Sequence, residues 1–376
     1  MAAVDAGFLA AVQANPHLRP RVGNPDEMRS NRMQRTLDTL KFRVTAPEQG
    51  VPEAVDGAVI TALNEEAVAS AALANKGGIN IVVTYEAFGA KMHGVVRQEI
   101  IFASNCNEAG RRQGWLSVPL VLTSHTWENA KNEQSHQDPV MAEAMLGERS
   151  DVSRVLFVPD YNTAAAVMRG VYQTQGQIWT LVVPKYDAAV DLFTPAESAR
   201  LLEQGALRLD WAGHRLSEQR VVLTALGAYQ LEHVVRASLR LTERDVPHSV
   251  VCMLEPGRFR APRSEGERAH AAPAELRADL YPDSVPKRVF VTHTRPEPLL
   301  GTLQPLHTGR DQAVALGFVA QGGTLTVPGM LFVNRCTWAH AVAAVAGVLA
   351  LPREELLTPE ELAALDGKAS PEGVIV

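Results

Sequence analysis

The chain has 376 residues, a formal net charge of −6, 46% apolar and 21% charged residues, and no long basic run. That length suggests two or three domains, each able to bury a sizeable core, and the charge balance argues against a nucleic-acid role. The three cysteines, Cys106, Cys252 and Cys336, lie far apart, a pattern that gives neither a disulfide framework nor a zinc site. The amino terminus carries Asp5 and lacks a basic stretch followed by an apolar core, so it does not read as a secretory leader. No apolar run is expected to be long enough to cross a bilayer, and the expected location is the cytoplasm.

Residues 1–24 show no clear element and read as an amino-terminal extension. Beyond them, short runs rich in Val and Ile alternate with helical patterns. Strands are predicted at Ile79–Thr84, Pro119–Thr123, Arg154–Val158, Ile178–Val183, Arg220–Thr224, Ser249–Leu254, Arg288–Thr292 and Ala313–Val319. Consecutive apolar positions, rather than alternating ones, are expected of strands buried on both faces of a parallel sheet. Helical patterns fall at Glu65–Asn75, Asn162–Thr174 and Pro195–Gln204, the last opened by Thr194 as cap and Pro195 in the first turn. This alternation predicts an α/β fold with right-handed crossovers, a parallel sheet flanked by helices, then a smaller α/β domain. The first domain is placed at residues 25–209 and the second at 210–376, with an irregular excursion over 257–286. A last short helix opens at Thr358-Pro359-Glu360-Glu361, before a polar tail.

Four segments between residues 63 and 139 carry side chains suited to chemistry: Leu63-Asn64-Glu65-Glu66, Tyr85-Glu86-Ala87-Phe88, Thr123-Ser124-His125-Thr126-Trp127 and Ser135-His136-Gln137-Asp138-Pro139. Taken singly, each has a plain structural reading. Glu65 and Glu66 are acids in a first helical turn, where the dipole favours them. Tyr85 and Phe88 are aromatic packing at a sheet edge, and His136 is a loop histidine beside an Asp-Pro helix start. In this order and spacing, however, the segments resemble the pyrimidine-binding domain of the thiamine-diphosphate-dependent phosphoketolases, and more distantly that of transketolases.

The resemblance implies specific roles. Glu65 would hydrogen-bond and activate the cofactor's pyrimidine, with Glu66 standing where the family has a histidine, so that either acid could be the one used. Tyr85 and Phe88 would line the pyrimidine pocket, and His136 would move protons near the reacting carbons. Ser30, in Pro25-Asp26-Glu27-Met28-Arg29-Ser30-Asn31-Arg32, resembles a substrate-phosphate contact, as do Asn132 and Lys185. His125 also matches a family pattern at a strand end, and Lys131 stands in place of the family's histidine beside the phosphate site. A lysine keeps the positive charge but is a poor proton shuttle near neutrality. Farther on, Gly317–Pro328 and Val333-Asn334-Arg335 resemble the phosphoketolase carboxy-terminal region, read as a structural and subunit-contact domain, with the second segment expected to open a helix.

The Gly-Asp-Gly motif with its following asparagine turn, which in the family holds the diphosphate and magnesium, is not in this sequence. The resemblance therefore implies the carboxy-terminal half of a phosphoketolase-like enzyme as a separate subunit. Its partner would be a diphosphate-binding subunit carrying the magnesium, in an α2β2 assembly that acts on a ketose or sugar phosphate. Transketolase-type transfer to an aldose, and a non-catalytic scaffold or regulatory subunit, are the alternatives.

Overall fold

A computed structural model describes residues 1–186, 191–214 and 219–376, and their side chains except at positions 130 and 131. Two sheets organise the chain. The first comprises β1 (Arg19–Gly23), β2 (Phe42–Arg43), β3 (Glu53–Ala54), β4 (Val59–Ile60), β5 (Gly78–Tyr85), β6 (Val118–Thr123), β7 (Ser153–Phe157) and β8 (Ile178–Val182). Their order is β3-β2-β4-β1-β5-β6-β8-β7, and every pairing is parallel. The second sheet contains β9 (Ala206–Gly213), β10 (Val221–Leu226), β11 (His248–Met253), β12 (Lys287–Thr292) and β13 (Ala313–Leu316), in the order β13-β12-β10-β11-β9. It is parallel except for β9, which runs antiparallel to β11.

The predicted strands are all present, with their ends moved by a few residues at most. Every residue of β6, β7, β8, β10 and β11 is buried, as helices on both faces require. Helix Pro195–Gln204 has a full capping box, Thr194 and Glu197 exchanging side-chain and backbone contacts, and it ends on left-handed Gly205.

Three expectations need correction. Residues 1–24 are no loose extension: helix Ala2–Ala14 packs on helix Tyr161–Val171, and β1 lies between β4 and β5 in the first sheet. Gly7 allows the helix contact, since a Cβ there would come within 2.7 Å of the Met168 Cβ. The boundary near residue 209 also shifts, because β9 already pairs with β11 in the second sheet. Lastly, Val333-Asn334-Arg335 ends helix Val327–Val333 rather than opening one; Arg335 turns left-handed (φ 58°) before helix Trp338–Leu349. That turn divides the apolar stretch Val327–Leu349 into two helices of 7 and 12 residues, each too short to cross a bilayer. The excursion over 257–286 is ordered, with helices Glu265–His270 and Ala274–Leu280.

The second domain grips the first through buried and half-buried polar contacts. Arg154 on β7 makes a two-pronged contact with Glu255, at 2.8 and 2.6 Å, and its guanidinium lies over Trp179. Arg295 reaches Asp138 at 2.9 Å and Glu143 at 2.6 Å. Gln137 exchanges hydrogen bonds with both backbone groups of Gly323.

Candidate functional site

In a parallel sheet the loops leaving the carboxyl ends of the strands share one edge, which is where such folds place ligands. Asp26 and Ser30 follow β1, Glu65 follows β4, Tyr85 ends β5, His136 follows β6 and Lys185 follows β8. Helix Glu65–Leu73 begins at Asn64, whose side chain accepts the Ala67 N–H, and Gly23 lets β1 pass close beneath it. A Cβ at Gly23 would fall 2.5 Å from the Val68 carbonyl oxygen.

These loops form one cluster. Tyr85 and Phe88 lie with ring centroids 6.2 Å apart and planes 21° from parallel. The edge of His136 meets Phe88 at 4.7 Å, and Tyr85 stands 6.1 Å from the same imidazole. Tyr85 Oη is 2.6 Å from Ser30 Oγ, which accepts from Lys185 Nζ at 3.2 Å. The Tyr85 N–H donates to Asp26 at 3.1 Å. Glu65, its side chain 12% exposed, accepts from Lys91 Nζ at 3.0 Å, and the same ammonium sits 4.6 Å from the centre of the Phe88 ring. Glu66 is exposed, so of the two acids Glu65 is the one turned to the cluster.

Burial sets the electrostatics. It raises the Asp26 carboxyl above its usual range, and the nearby Glu65 charge adds to that, against the Tyr85 N–H and the neighbouring Thr84 and Asn31 side chains. It lowers the His136 imidazole, with Asp26 and the Asn132 backbone opposing. His136 is therefore neutral near pH 7. Its Nδ1 lies 2.8 Å from Ser135 Oγ, which leaves Nε2 for a proton-transfer contact.

Of the residues expected from sequence, Glu65, Tyr85, Phe88, His136, Ser30 and Lys185 come together. Asn132 lies exposed on the turn Ala130–His136, its carbonyl accepting from Ser135. The side chain of Lys131 lies outside the described residues. His125 is buried, with its ring edge-on to Tyr229 at 5.7 Å and to His293 at 4.8 Å. Burial also pushes its imidazole down to the neutral form.

Sequence reasoning assigned no role to Asp26, Lys91, Glu86 or Glu128. Asp26 and Glu86 stood within quoted motifs, so their position was a signal. Glu86 is buried beneath the aromatic pair, accepting from the Thr126 N–H at 2.9 Å and hydroxyl at 2.8 Å, with His293 Nε2 at 2.7 Å. Burial alone would raise its carboxyl; the charge and hydrogen bond of His293, with the His125 and Thr126 contributions, hold it below the usual range. Glu128 accepts the backbone N–H groups of Lys185 and Tyr186 at 2.9 and 3.1 Å and the Tyr229 hydroxyl at 2.7 Å.

The site's donor set fits the pyrimidine half of thiamine diphosphate. A part-buried carboxylate and two half-buried rings are linked in one cluster through Lys91, the side-chain types that a flat heteroaromatic ring with a nitrogen to be hydrogen-bonded requires.

Residues 3–174 match the family model for D-xylulose 5-phosphate/D-fructose 6-phosphate phosphoketolase. The chain is 28% identical over 331 residues to a probable phosphoketolase of Bifidobacterium animalis, covering 84% of this chain and 39% of that one. With a probable phosphoketolase of Mycobacterium avium it shares 27% over 344 residues, 89% of this chain and 42% of the relative. The chain thus spans about two fifths of the length of these curated relatives. Among solved structures, a transketolase from Leishmania mexicana superposes with a TM-score of 0.69 at 16% identity, over 93% of this chain and 45% of that one. A split-gene transketolase, solved as an inactive β4 tetramer, superposes at 0.63 with 14% identity, over 93% of this chain and 97% of that one. These structural likenesses establish the fold.

Proposed function

We propose, for a chain that is phosphoketolase-like in sequence and transketolase-like in fold, that it is the pyrimidine-binding subunit of a split thiamine-diphosphate-dependent enzyme. Its partner is a separate diphosphate-binding subunit that carries the magnesium, whose preference for oxygen ligands suits the family's Asp and Asn motif. An α2β2 assembly would place two such sites between unlike chains. The observation that carries this reading is the clustering of Glu65, Tyr85, Phe88 and His136 at the strand ends.

Thiamine diphosphate, when bound, supplies the nucleophilic carbon and the electron sink for cleaving a ketose next to its carbonyl. The chain's own residues do the rest. Glu65 exchanges its Lys91 partner for a hydrogen bond to a pyrimidine nitrogen. Tyr85 and Phe88 orient the ring and exclude water from one face. Neutral His136 accepts or returns a proton through Nε2. Ser30 and Lys185 hold the substrate's anionic end, a hydroxyl and an ammonium suited to phosphate oxygens. The product is a two-carbon acyl or ketol unit passed to an acceptor.

The test is co-expression with a diphosphate-domain chain, then calorimetry with thiamine diphosphate and magnesium on the complex and on this chain alone. Binding by the complex only, lost in Glu65→Ala, is the expected result. Full affinity and turnover by the isolated chain would sink the split assembly, and no binding by either would sink the cofactor assignment. Acyl phosphate formed from inorganic phosphate separates phosphoketolase chemistry from aldose-dependent transfer.

A further inference from the structure

The loop that presents Lys185 has an unusual support. Lys185 and Tyr186 follow β8, and their backbone N–H groups both donate to the carboxylate of Glu128, at 2.9 and 3.1 Å. Glu128 is itself buried, with its side chain 1% exposed. Its third donor comes from the other domain: the Tyr229 hydroxyl, on helix Ala228–Glu243, at 2.7 Å. Oε2 takes the Lys185 amide while Oε1 takes both the Tyr186 amide and the Tyr229 phenol, so the carboxylate keeps one orientation only if all three donors remain.

The same device recurs one loop away. Glu86 accepts from Thr126 of its own domain and faces His293 of the second domain at 2.7 Å. Two buried carboxylates of the first domain are thus held from the second, each behind a loop that bears a candidate ligand contact. Burial and the Glu128 charge raise the Tyr229 phenol above its ordinary value, so it is a donor at neutral pH.

We infer that Tyr229 is a positioning residue for anion binding, acting through Glu128 on the Lys185 loop, so that the second domain sets the substrate-phosphate affinity of the first. This rests on the reading of Ser30 and Lys185 as the anion contact. In Tyr229→Phe the ring still packs against His125, but Glu128 loses the donor that fixes its tilt. The Lys185 and Tyr186 amides then exchange faster, and the ammonium is no longer held at one place.

The experiment uses the purified chain and inorganic phosphate as probe, with amide hydrogen exchange read at Lys185 and Tyr186. Lys185→Ala defines loss of the site. Tyr281→Phe is the control, since it removes another buried phenol of the second domain, paired with Thr224 at 3.1 Å, with no link to Glu128. Tyr229→Phe is expected to weaken phosphate about five- to tenfold, the scale of one ordinary hydrogen bond because the lost contact acts on the anion only through Glu128, and to speed exchange at both amides. Tyr281→Phe, even where it lowers the melting temperature equally, should change neither. If Tyr229→Phe binds phosphate like wild type while Lys185→Ala does not, the positioning role is wrong. If wild type itself binds no phosphate, the anion-site reading fails and takes the inference with it.

Discussion

Glu255 offers a sharp test of how the two domains are joined. Its side chain is fully buried, bonded twice to Arg154 at 2.8 and 2.6 Å and once to His270 at 2.8 Å. Glu255→Gln keeps the shape but removes the charge and one acceptor, leaving the buried Arg154 guanidinium undercompensated. Breaking such a pair costs about 3–5 kcal/mol, and the surviving amide contact argues for the lower end, about 3 kcal/mol. With an m-value of about 2–3 kcal/mol/M in urea, the unfolding midpoint drops by about 1 M. Trp179, whose ring lies 3.8 Å from the Arg154 guanidinium, is a fluorescence reporter at the break. Adding Arg154→Met to Glu255→Leu should recover at least half the loss, since no charge is then left buried. The cost also depends on pH. Burial alone would raise the Glu255 carboxyl, but Arg154 and His270 hold it far below its ordinary value. Its contribution is therefore complete above the unfolded value of about 4.3 and is lost as pH falls through the folded one, so the gap between Glu255→Gln and wild type narrows below about pH 4. A loss under about 1 kcal/mol at pH 7, or no recovery in the double variant, would refute the reasoning.

Other outcomes follow from the same geometry. Glu65→Gln should abolish activity of the assembled complex and weaken its cofactor binding, yet leave the melting temperature unchanged, because the Lys91 partner is mostly exposed and such pairs contribute about 1 kcal/mol or less; a large thermal shift would mark Glu65 as structural. Gly23→Ala should cost about 1–3 kcal/mol by overpacking, since the new methyl meets the Val68 carbonyl at 2.5 Å and must push helix Glu65–Leu73 off the sheet; wild-type thermal stability and cofactor binding would count against it. Burial holds His233, His248 and His340 each at about 4, below the unfolded value near 6.5. The unfolded chain therefore binds more protons between those limits, and stability should fall as pH drops from about 6.5 to 4, with a slope approaching about 4 kcal/mol per pH unit. Denaturation midpoints flat over that window would contradict it.

How much of this could be read from sequence depends on the range of each signal. Strands buried on both faces announce themselves as unbroken apolar runs, and β5, β6, β8 and β10 were found on that basis. β1 was missed because Arg19-Pro20-Arg21-Val22-Gly23 has no such run; it is a strand because β4 and β5 pair with it on either side. β9 is buried at Ala206, Leu207 and Leu209 but exposed at Asp210 and Trp211, too short an apolar run to read as a strand buried on both faces, and a boundary at residue 209 cuts through it. The motif residues of the site were visible because they lie within short segments. Their supports were not: Glu86 meets His293 across 207 residues and Glu128 meets Tyr229 across 101, separations at which a single sequence carries no periodicity or spacing to read.

Glu86, Glu128 and Glu255 all place buried carboxylates at the domain junction, where an apolar contact would be about as stable. Charge alone does not account for that choice, but direction does: each carboxylate collects donors from both domains and so fixes the register of one against the other. At Glu86 geometry and charge can be separated. Glu86→Gln can still accept from Thr126 through its oxygen and donate to His293 through its nitrogen, whereas Glu86→Ala leaves Thr126 and His293 without the partner that holds them. Cofactor affinity of the assembled complex should therefore fall less than about threefold in Glu86→Gln and at least about tenfold in Glu86→Ala, on the scale of one or two lost hydrogen bonds. Equal losses in the two variants would make the negative charge itself, rather than the orientation it imposes on Tyr85 and Phe88, the property that matters.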